Sequence, residues 1–93
     1  MKKKKIFLFG SELCPDCVTM KELLSANQVR YSYINILESL GKLKMFLKYR
    51  DTLPEFDEIR EEGSVGIPFI VVNDGEWISL EEPSESLVAK LKA

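Results

Sequence analysis

Apolar residues in this chain come in short bursts, and the spacing inside each burst predicts a different element. Ile6-Phe7-Leu8-Phe9 is continuous and is closed by Gly10 and Ser11, a pattern suited to a central strand buried on both faces. Over residues 15–26 the apolar positions Cys17, Met20, Leu23 and Leu24 recur at helical spacing around Lys21 and Glu22, and Asn27 is a natural stop. Residues 29–36 are rich in β-branched and aromatic side chains, with Tyr31 and Tyr33 alternating with Ser32 and Ile34, as in a strand. Two strands separated by a helix imply a right-handed βαβ unit with parallel strands.

Leu37, Leu40, Leu43, Phe46 and Leu47 then mark a second helix, with Lys42, Lys44 and Lys48 on its wetter side and Met45 as filler. Thr52 and Glu55 have the spacing of a capping box opening a short helix through Glu62, with Phe56 and Ile59 facing inward. Its carboxylates, Glu55, Asp57, Glu58, Glu61 and Glu62, read as a solvated face. Gly63-Ser64-Val65-Gly66 turns the chain into a third strand-like run, residues 67–72. Pro68 cannot donate to a ladder, so it belongs at the start of that strand or at an unpaired edge. Asn73-Asp74-Gly75 is a hairpin signal, residues 76–79 make an antiparallel fourth strand, and Pro83-Ser84 opens a last helix that packs Leu87, Val88 and Leu91.

Composition narrows the picture. Ninety-three residues at 45% hydrophobic content suffice for one core, so residues 1–93 are expected to form one domain. A net charge of −2 supplies no positive field for phosphate backbones, which argues against nucleic acid as a partner. Lys2, Lys3, Lys4 and Lys5 run straight into Ile6-Phe7-Leu8-Phe9, an apolar segment too short to cross a membrane or to form a signal-peptide core. The expectation is a cytoplasmic monomer that keeps clear of membranes.

The candidate chemistry lies at Cys14-Pro15-Asp16-Cys17, which holds both cysteines of the chain where the first strand ends and the first helix begins. Pro15 favours the first helical turn, where its missing N–H costs nothing. Cys14 then sits at the helix N-terminus, where unpaired N–H groups and the helix dipole favour a thiolate. Cys17, one turn further in, is placed to resolve whatever Cys14 attacks. Two cysteines cannot complete a four-ligand zinc site, and with no histidine in the chain a metal site would need carboxylates or a second subunit; a disulfide closing so short a loop stabilises little. A redox-active dithiol is the better reading, and in the cytosol such pairs are catalytic or metal-binding more often than structural.

The order βαβ, α, short helix, ββα, with CxxC after strand one and Gly66-Ile67-Pro68-Phe69 opening strand three, resembles the thioredoxin superfamily and its glutaredoxin branch most closely. The resemblance covers nearly the whole chain. It implies an α/β thioredoxin fold: a mixed four-stranded sheet flanked by helices, with a short extra helix before strand three. It also implies that Pro68 is cis and lies against the active-site sulfurs, that the Ile67 backbone contacts the substrate beside Pro15 and Asp16, and that Cys14 is the nucleophile and Cys17 the resolving thiol. Lys21 matches a lysine of the glutaredoxin first helix and reads as a surface residue adding positive potential. The implied activity is thiol–disulfide exchange on a disulfide-containing protein or small thiol compound, with no firmly bound cofactor and with glutathione as a co-substrate.

The chain departs from the branch at two places. Asp16 stands where glutaredoxins usually carry an aromatic residue, and a carboxylate beside two sulfurs opposes thiolate formation. After strand four, Ile78-Ser79-Leu80-Glu81-Glu82-Pro83-Ser84 replaces the Gly-Gly and acidic cap that receive glutathione; side chains there obstruct the close backbone approach glycine permits. The reductant therefore stays open between glutathione and thioredoxin reductase. Two other functions remain: an Fe–S cluster bridged by thiolates of two subunits, and a scaffold domain on a retained fold.

Overall fold

A computed structural model describes residues 4–93; Lys2 and Lys3, which begin the basic cluster, lie outside the described residues. In chain order the elements are β1 (Ile6–Gly10), α1 (Pro15–Ala26), β2 (Ser32–Asn35), α2 (Leu40–Arg50), a 3-10 turn (Pro54–Phe56), α3 (Asp57–Glu62), β3 (Phe69–Val72), a second 3-10 turn (Asn73–Gly75), β4 (Trp77–Ser79) and α4 (Glu85–Lys92). The four strands form one sheet in the order β2-β1-β3-β4. β1 runs parallel to β2 and antiparallel to β3, and β3 is antiparallel to β4.

Alternation along the two central strands divides the core between the faces of the sheet. Ile6 and Leu8 of β1 join Ile70 and Val72 of β3 beneath α1 and α4, whose Met20, Leu24, Leu87, Val88 and Leu91 complete that cluster. Phe9, Phe69 and Val71 point the other way, to Phe46 of α2 and Phe56 of the first 3-10 turn. That second layer is aromatic: the Phe69 ring lies 4.9 Å from Phe56 and 5.9 Å from Phe9, at the offset and edge geometries such rings favour.

Local signals set the helix ends. Ser39 and Ser84 are the N-caps of α2 and α4, their Oγ atoms accepting the N–H of Lys42 (3.2 Å) and Leu87 (3.1 Å). Asn27 ends α1, and Gly63 ends α3 in the left-handed conformation (φ 75°).

Four sequence expectations need correction. The second strand spans Ser32–Asn35, so Val29, Arg30 and Tyr31 precede it. Leu37 lies in a turn ahead of α2, not on its packing face, because Ser39 caps the helix at Leu40; both leucines are exposed. The Thr52–Glu55 capping box does not form. Thr52 Oγ1 donates instead to the Lys48 carbonyl, closing the end of α2, and the following 3-10 turn has no side-chain cap. Strand three starts at Phe69, two residues later than expected, since Pro68 has no N–H with which to join the ladder.

Register fixes what meets at the upper edge of the sheet. Phe9 pairs with Phe69 in the antiparallel ladder, so the residues just before Phe69 lie beside the loop leaving β1. Gly10 pairs with Asn35 in the parallel ladder, and Ile36 N–H donates to the Gly10 carbonyl (3.0 Å). Chain segments around Ser11, Ile36 and Ile67 therefore converge at one end of the sheet.

Candidate active site

The loop from β1 to α1 is tied down before the helix begins. Ser11 is buried; its Oγ accepts the Leu13 N–H (3.1 Å) and its carbonyl accepts the Cys14 N–H (3.1 Å). Cys14 is the N-cap of α1, with extended backbone (φ −103°, ψ 113°) and Pro15 following it. Its carbonyl accepts the N–H groups of Cys17 (3.0 Å) and Val18 (3.2 Å). The Cys14 side chain makes no capping bond, so its sulfur is left to face outward, half-buried, at the positive end of the helix.

Cys17 differs in every respect. It is wholly buried beneath the loop, and burial pushes its thiol up to about 12. A hydrogen bond with Cys14 and the negative charges of Cys14 and Asp16 push the same way, while a backbone hydrogen bond from Ser11 opposes them. Asp16 thus acts on the buried sulfur, as the smallest of these causes. The two sulfurs are not joined in a disulfide.

Gly10 makes room for that buried sulfur. A Cβ there would come within 2.9 Å of Cys17 Sγ, 3.1 Å of Cys17 Cβ and 3.4 Å of Tyr33 Cε1. The sequence signalled only a strand end; this need arises from a helix packing back over the strand.

The Ile67–Pro68 peptide is cis and Pro68 is buried. Cys14 Sγ lies 4.0 Å from the Ile67 carbonyl oxygen, the outer limit for a sulfur hydrogen bond. Cys14, Cys17, Ile67 and Pro68 are thus gathered at one place, with Pro15 and Asp16 on the exposed first turn of α1.

A polar group that sequence reading underrated adjoins the dithiol. Lys21 Nζ donates to Glu12 Oε2 (3.0 Å) and stands 4.1 Å from the centre of the Tyr33 ring. Tyr33 first and Lys21 second hold the Glu12 carboxyl below the usual range. The Tyr33 hydroxyl is buried with no hydrogen-bond partner among the described residues; burial first and the neighbouring Glu12 second raise its pKa. Lys21 is therefore a partner of the loop before Cys14 more than a free surface charge.

At the end of β4, Ser79 is buried with its Oγ accepting the Glu81 N–H (3.0 Å), and Glu81 pairs with Lys90 (3.0 Å). Among the described residues no group of three or more His, Cys, Asp and Glu side chains is placed to hold a metal ion, and no helix is long and apolar enough to cross a membrane.

A mixed sheet in the order β2-β1-β3-β4, with a CxxC pair at the start of α1 facing a proline ahead of β3, defines a thioredoxin-fold redox protein. Solved structures agree on the fold. A glutaredoxin from Methanosarcina mazei Go1 superposes with a TM-score of 0.67 at 21% identity, over 94% of this chain and 77% of that one. A point mutant of a thioredoxin-like protein superposes with a TM-score of 0.59 at 23% identity, over 95% and 94%. Residues 6–78 match the Glutaredoxin family model, and the chain belongs to that family. It is also 36% identical over 74 residues to an uncharacterized protein of Haemophilus influenzae, covering 80% of this chain and 86% of that one.

Proposed function

We propose that the protein is a thiol–disulfide oxidoreductase in which Cys14 attacks and Cys17 resolves. The observation that carries this reading is the asymmetry of the pair: Cys14 is accessible at the helix N-terminus, whereas Cys17 is wholly buried with its thiol pushed up to about 12. The Cys14 thiolate attacks one sulfur of a substrate disulfide, forming a mixed disulfide and releasing the first substrate thiol. Cys17 then attacks Cys14 Sγ, its proton passing to the departing second thiolate. Two electrons pass to the substrate, whose first thiolate takes its proton from solvent and whose second takes the proton of Cys17, leaving a Cys14–Cys17 disulfide that a reductant reopens. Handing the Cys17 proton to the leaving sulfur lets a weakly acidic thiol resolve without a dedicated base.

This cycle needs no firmly bound cofactor and fits a cytoplasmic setting, where reduced thiols are supplied. Side chains at Ser79 and Leu80, where glutathione-binding relatives carry glycines, favour thioredoxin reductase over glutathione as the reductant. The test is disulfide reduction by the purified protein with glutathione plus its reductase, and separately with thioredoxin reductase. Cys14→Ser is expected to abolish turnover, and Cys17→Ser to accumulate a mixed disulfide on Cys14. Wild-type turnover in Cys14→Ser would sink the assignment.

A further inference from the structure

Among the described residues one buried side-chain nitrogen or oxygen lacks a hydrogen-bond partner, and it is the Tyr33 hydroxyl. A group left in that condition costs stability, and native interiors keep few of them. Its place in the fold is specific. The register that pairs Tyr33 with Leu8 turns its ring to the α1 side of the sheet, against the core of that face. Cys17 and Lys21, one turn apart on α1, share one side of the helix, and both lie over this tyrosine. Lys21 Nζ stands 4.1 Å from the ring centre. Cys17 Sγ and Tyr33 Cε1 face the same gap beside Gly10, 2.9 and 3.4 Å from the point that a Cβ there would take.

The charged acceptor near the hydroxyl is Glu12, and its carboxylate is engaged by Lys21 (3.0 Å). The sulfurs of Cys17 and Cys14 are the other groups whose charge bears on it. A thiol or disulfide sulfur is a weak acceptor, whereas a thiolate is a strong one. The hydroxyl therefore gains a full partner when negative charge gathers on Cys17, which happens as the Cys14–Cys17 bond is broken or made. Burial first, then Glu12, Cys17 and Cys14, keep the phenol protonated, so its hydrogen is there to give.

We propose that the Tyr33 hydroxyl is a hydrogen-bond donor to Cys17 Sγ that acts when this sulfur leaves or attacks, and is idle while Cys14 meets its substrate. This rests on the reading in which Cys14 attacks and Cys17 resolves. A donor already in place in a dry site needs no reorganisation when charge develops, and an interaction that is stronger at that moment than in the resting protein accelerates the step. The missing partner in the resting protein is what leaves the hydrogen free.

To reopen the oxidised pair, a reductant thiolate attacks Cys14 Sγ. A bond forms between these two sulfurs, the Cys14–Cys17 bond breaks, and its electron pair stays on Cys17 as a buried thiolate. Tyr33 donates to that thiolate until it takes a proton that enters from solvent. A second reductant thiolate then displaces Cys14 from the mixed disulfide, and the reductant departs as its own disulfide. In the opposite direction the same hydrogen bond supports Cys17 as it attacks Cys14 Sγ, the Cys17 proton still passing to the departing thiolate.

Tyr33→Phe keeps the ring and removes the hydroxyl alone. The experiment follows three single turnovers with and without this substitution: reopening of the oxidised pair by dithiothreitol, release of thionitrobenzoate from a Cys14 mixed disulfide by Cys17, and attack of Cys14 on the free bis-thionitrobenzoate disulfide, the last in a Cys17→Ser background. In Tyr33→Phe, reopening and resolution are expected to slow about ten- to hundredfold, the worth of a hydrogen bond to a charged group. Attack by Cys14 is expected to keep its rate, and the reduced variant to melt at or above the wild-type denaturant concentration, because no hydrogen bond of the resting fold is lost. Unchanged reopening and resolution would overturn the inference and leave the dithiol cycle standing. An equal slowing of all three steps, or a loss of stability, would make the hydroxyl a bonded part of the fold and overturn the inference too. Failure of wild-type Cys17 to release thionitrobenzoate from Cys14 would overturn its resolving role, and the inference with it.

Discussion

Gly10→Ala puts a single methyl group against the buried sulfur of Cys17. The new Cβ would stand 2.9 Å from Cys17 Sγ and 3.1 Å from Cys17 Cβ, roughly half an ångström inside ordinary contact at the nearer atom. Gly10 lies in β1, paired with Asn35, and its backbone is ordinary strand, so conformational strain plays no part. Two effects then oppose each other. Replacing glycine reduces the freedom of the unfolded chain and favours folding by about 0.4–1 kcal/mol; overpacking a rigid site costs about 1–3 kcal/mol. Overpacking should win here, because the obstructing atoms belong to a buried side chain anchored in a helix, giving a net loss of about 1–2 kcal/mol.

The kinetic consequence is more specific. In the proposed cycle Cys17 reaches Cys14 Sγ to resolve a mixed disulfide, and a displacement near 1 Å at a reacting centre costs on the order of a hundredfold. A shift of roughly half that size should slow resolution about tenfold, whereas attack by Cys14, outside the packed layer, should be nearly unaffected. Denaturant melting of the reduced protein measures the first quantity. Single-turnover release of thionitrobenzoate from a Cys14 mixed disulfide measures the second. A variant that is as stable as wild type and resolves at the same rate would refute the argument that Gly10 makes room for Cys17.

Further outcomes follow from the same geometry. The Cys17 thiol is raised from 9.0 to about 12, so above pH 9 the unfolded chain releases a proton that the folded chain retains, and stability falls as pH rises. Between pH 9 and 10, before Tyr33 adds a slope of the same sign, the reduced protein should lose up to about 1.4 kcal/mol per pH unit more than Cys17→Ala does; parallel curves would count against a buried neutral thiol. Gly66→Ala sets a side chain at φ 98° with its Cβ 2.7 Å from Phe56 Cε1, and a loss of at least about 2 kcal/mol in melting experiments is expected. The Glu12 carboxyl, followed by NMR titration, should move up in Lys21→Met, which removes the ion pair that helps hold it down; an unchanged titration would count against that pair.

Features carried by near neighbours in the chain were legible in the sequence. The unbroken run Ile6-Phe7-Leu8-Phe9 declares a strand covered on both faces, and Pro15 after Cys14 declares where α1 begins. Ser84 marked the last helix through its own cap. Features depending on residues far apart were hidden. Leu37 fits a helical period with Leu40, yet Ser39 starts the helix after it and leaves Leu37 exposed in the turn. Thr52 had two hydrogen-bond options, and its hydroxyl takes the carbonyl of Lys48 in the preceding turn. The crowding at Gly10 and the bridge from Lys21 to Glu12 exist only once α1 is folded back over β1.

The complete burial of Cys17 joins the redox chemistry to the folding equilibrium through a thermodynamic cycle. Oxidation, reduction, folding and unfolding close a square, so any difference in folding free energy between the dithiol and disulfide forms reappears in the reduction potential, at about 30 mV for each 1.4 kcal/mol. Weakening the aromatic layer around Phe46 and Phe56, which stands off the sulfurs, should destabilise both forms alike and leave the potential where it is. Changing Gly10 or Tyr33, which border the buried sulfur, should burden the two forms unequally and shift the potential. The reducing strength of this centre is thus a property of how β1 and α1 pack as much as of the two cysteines themselves.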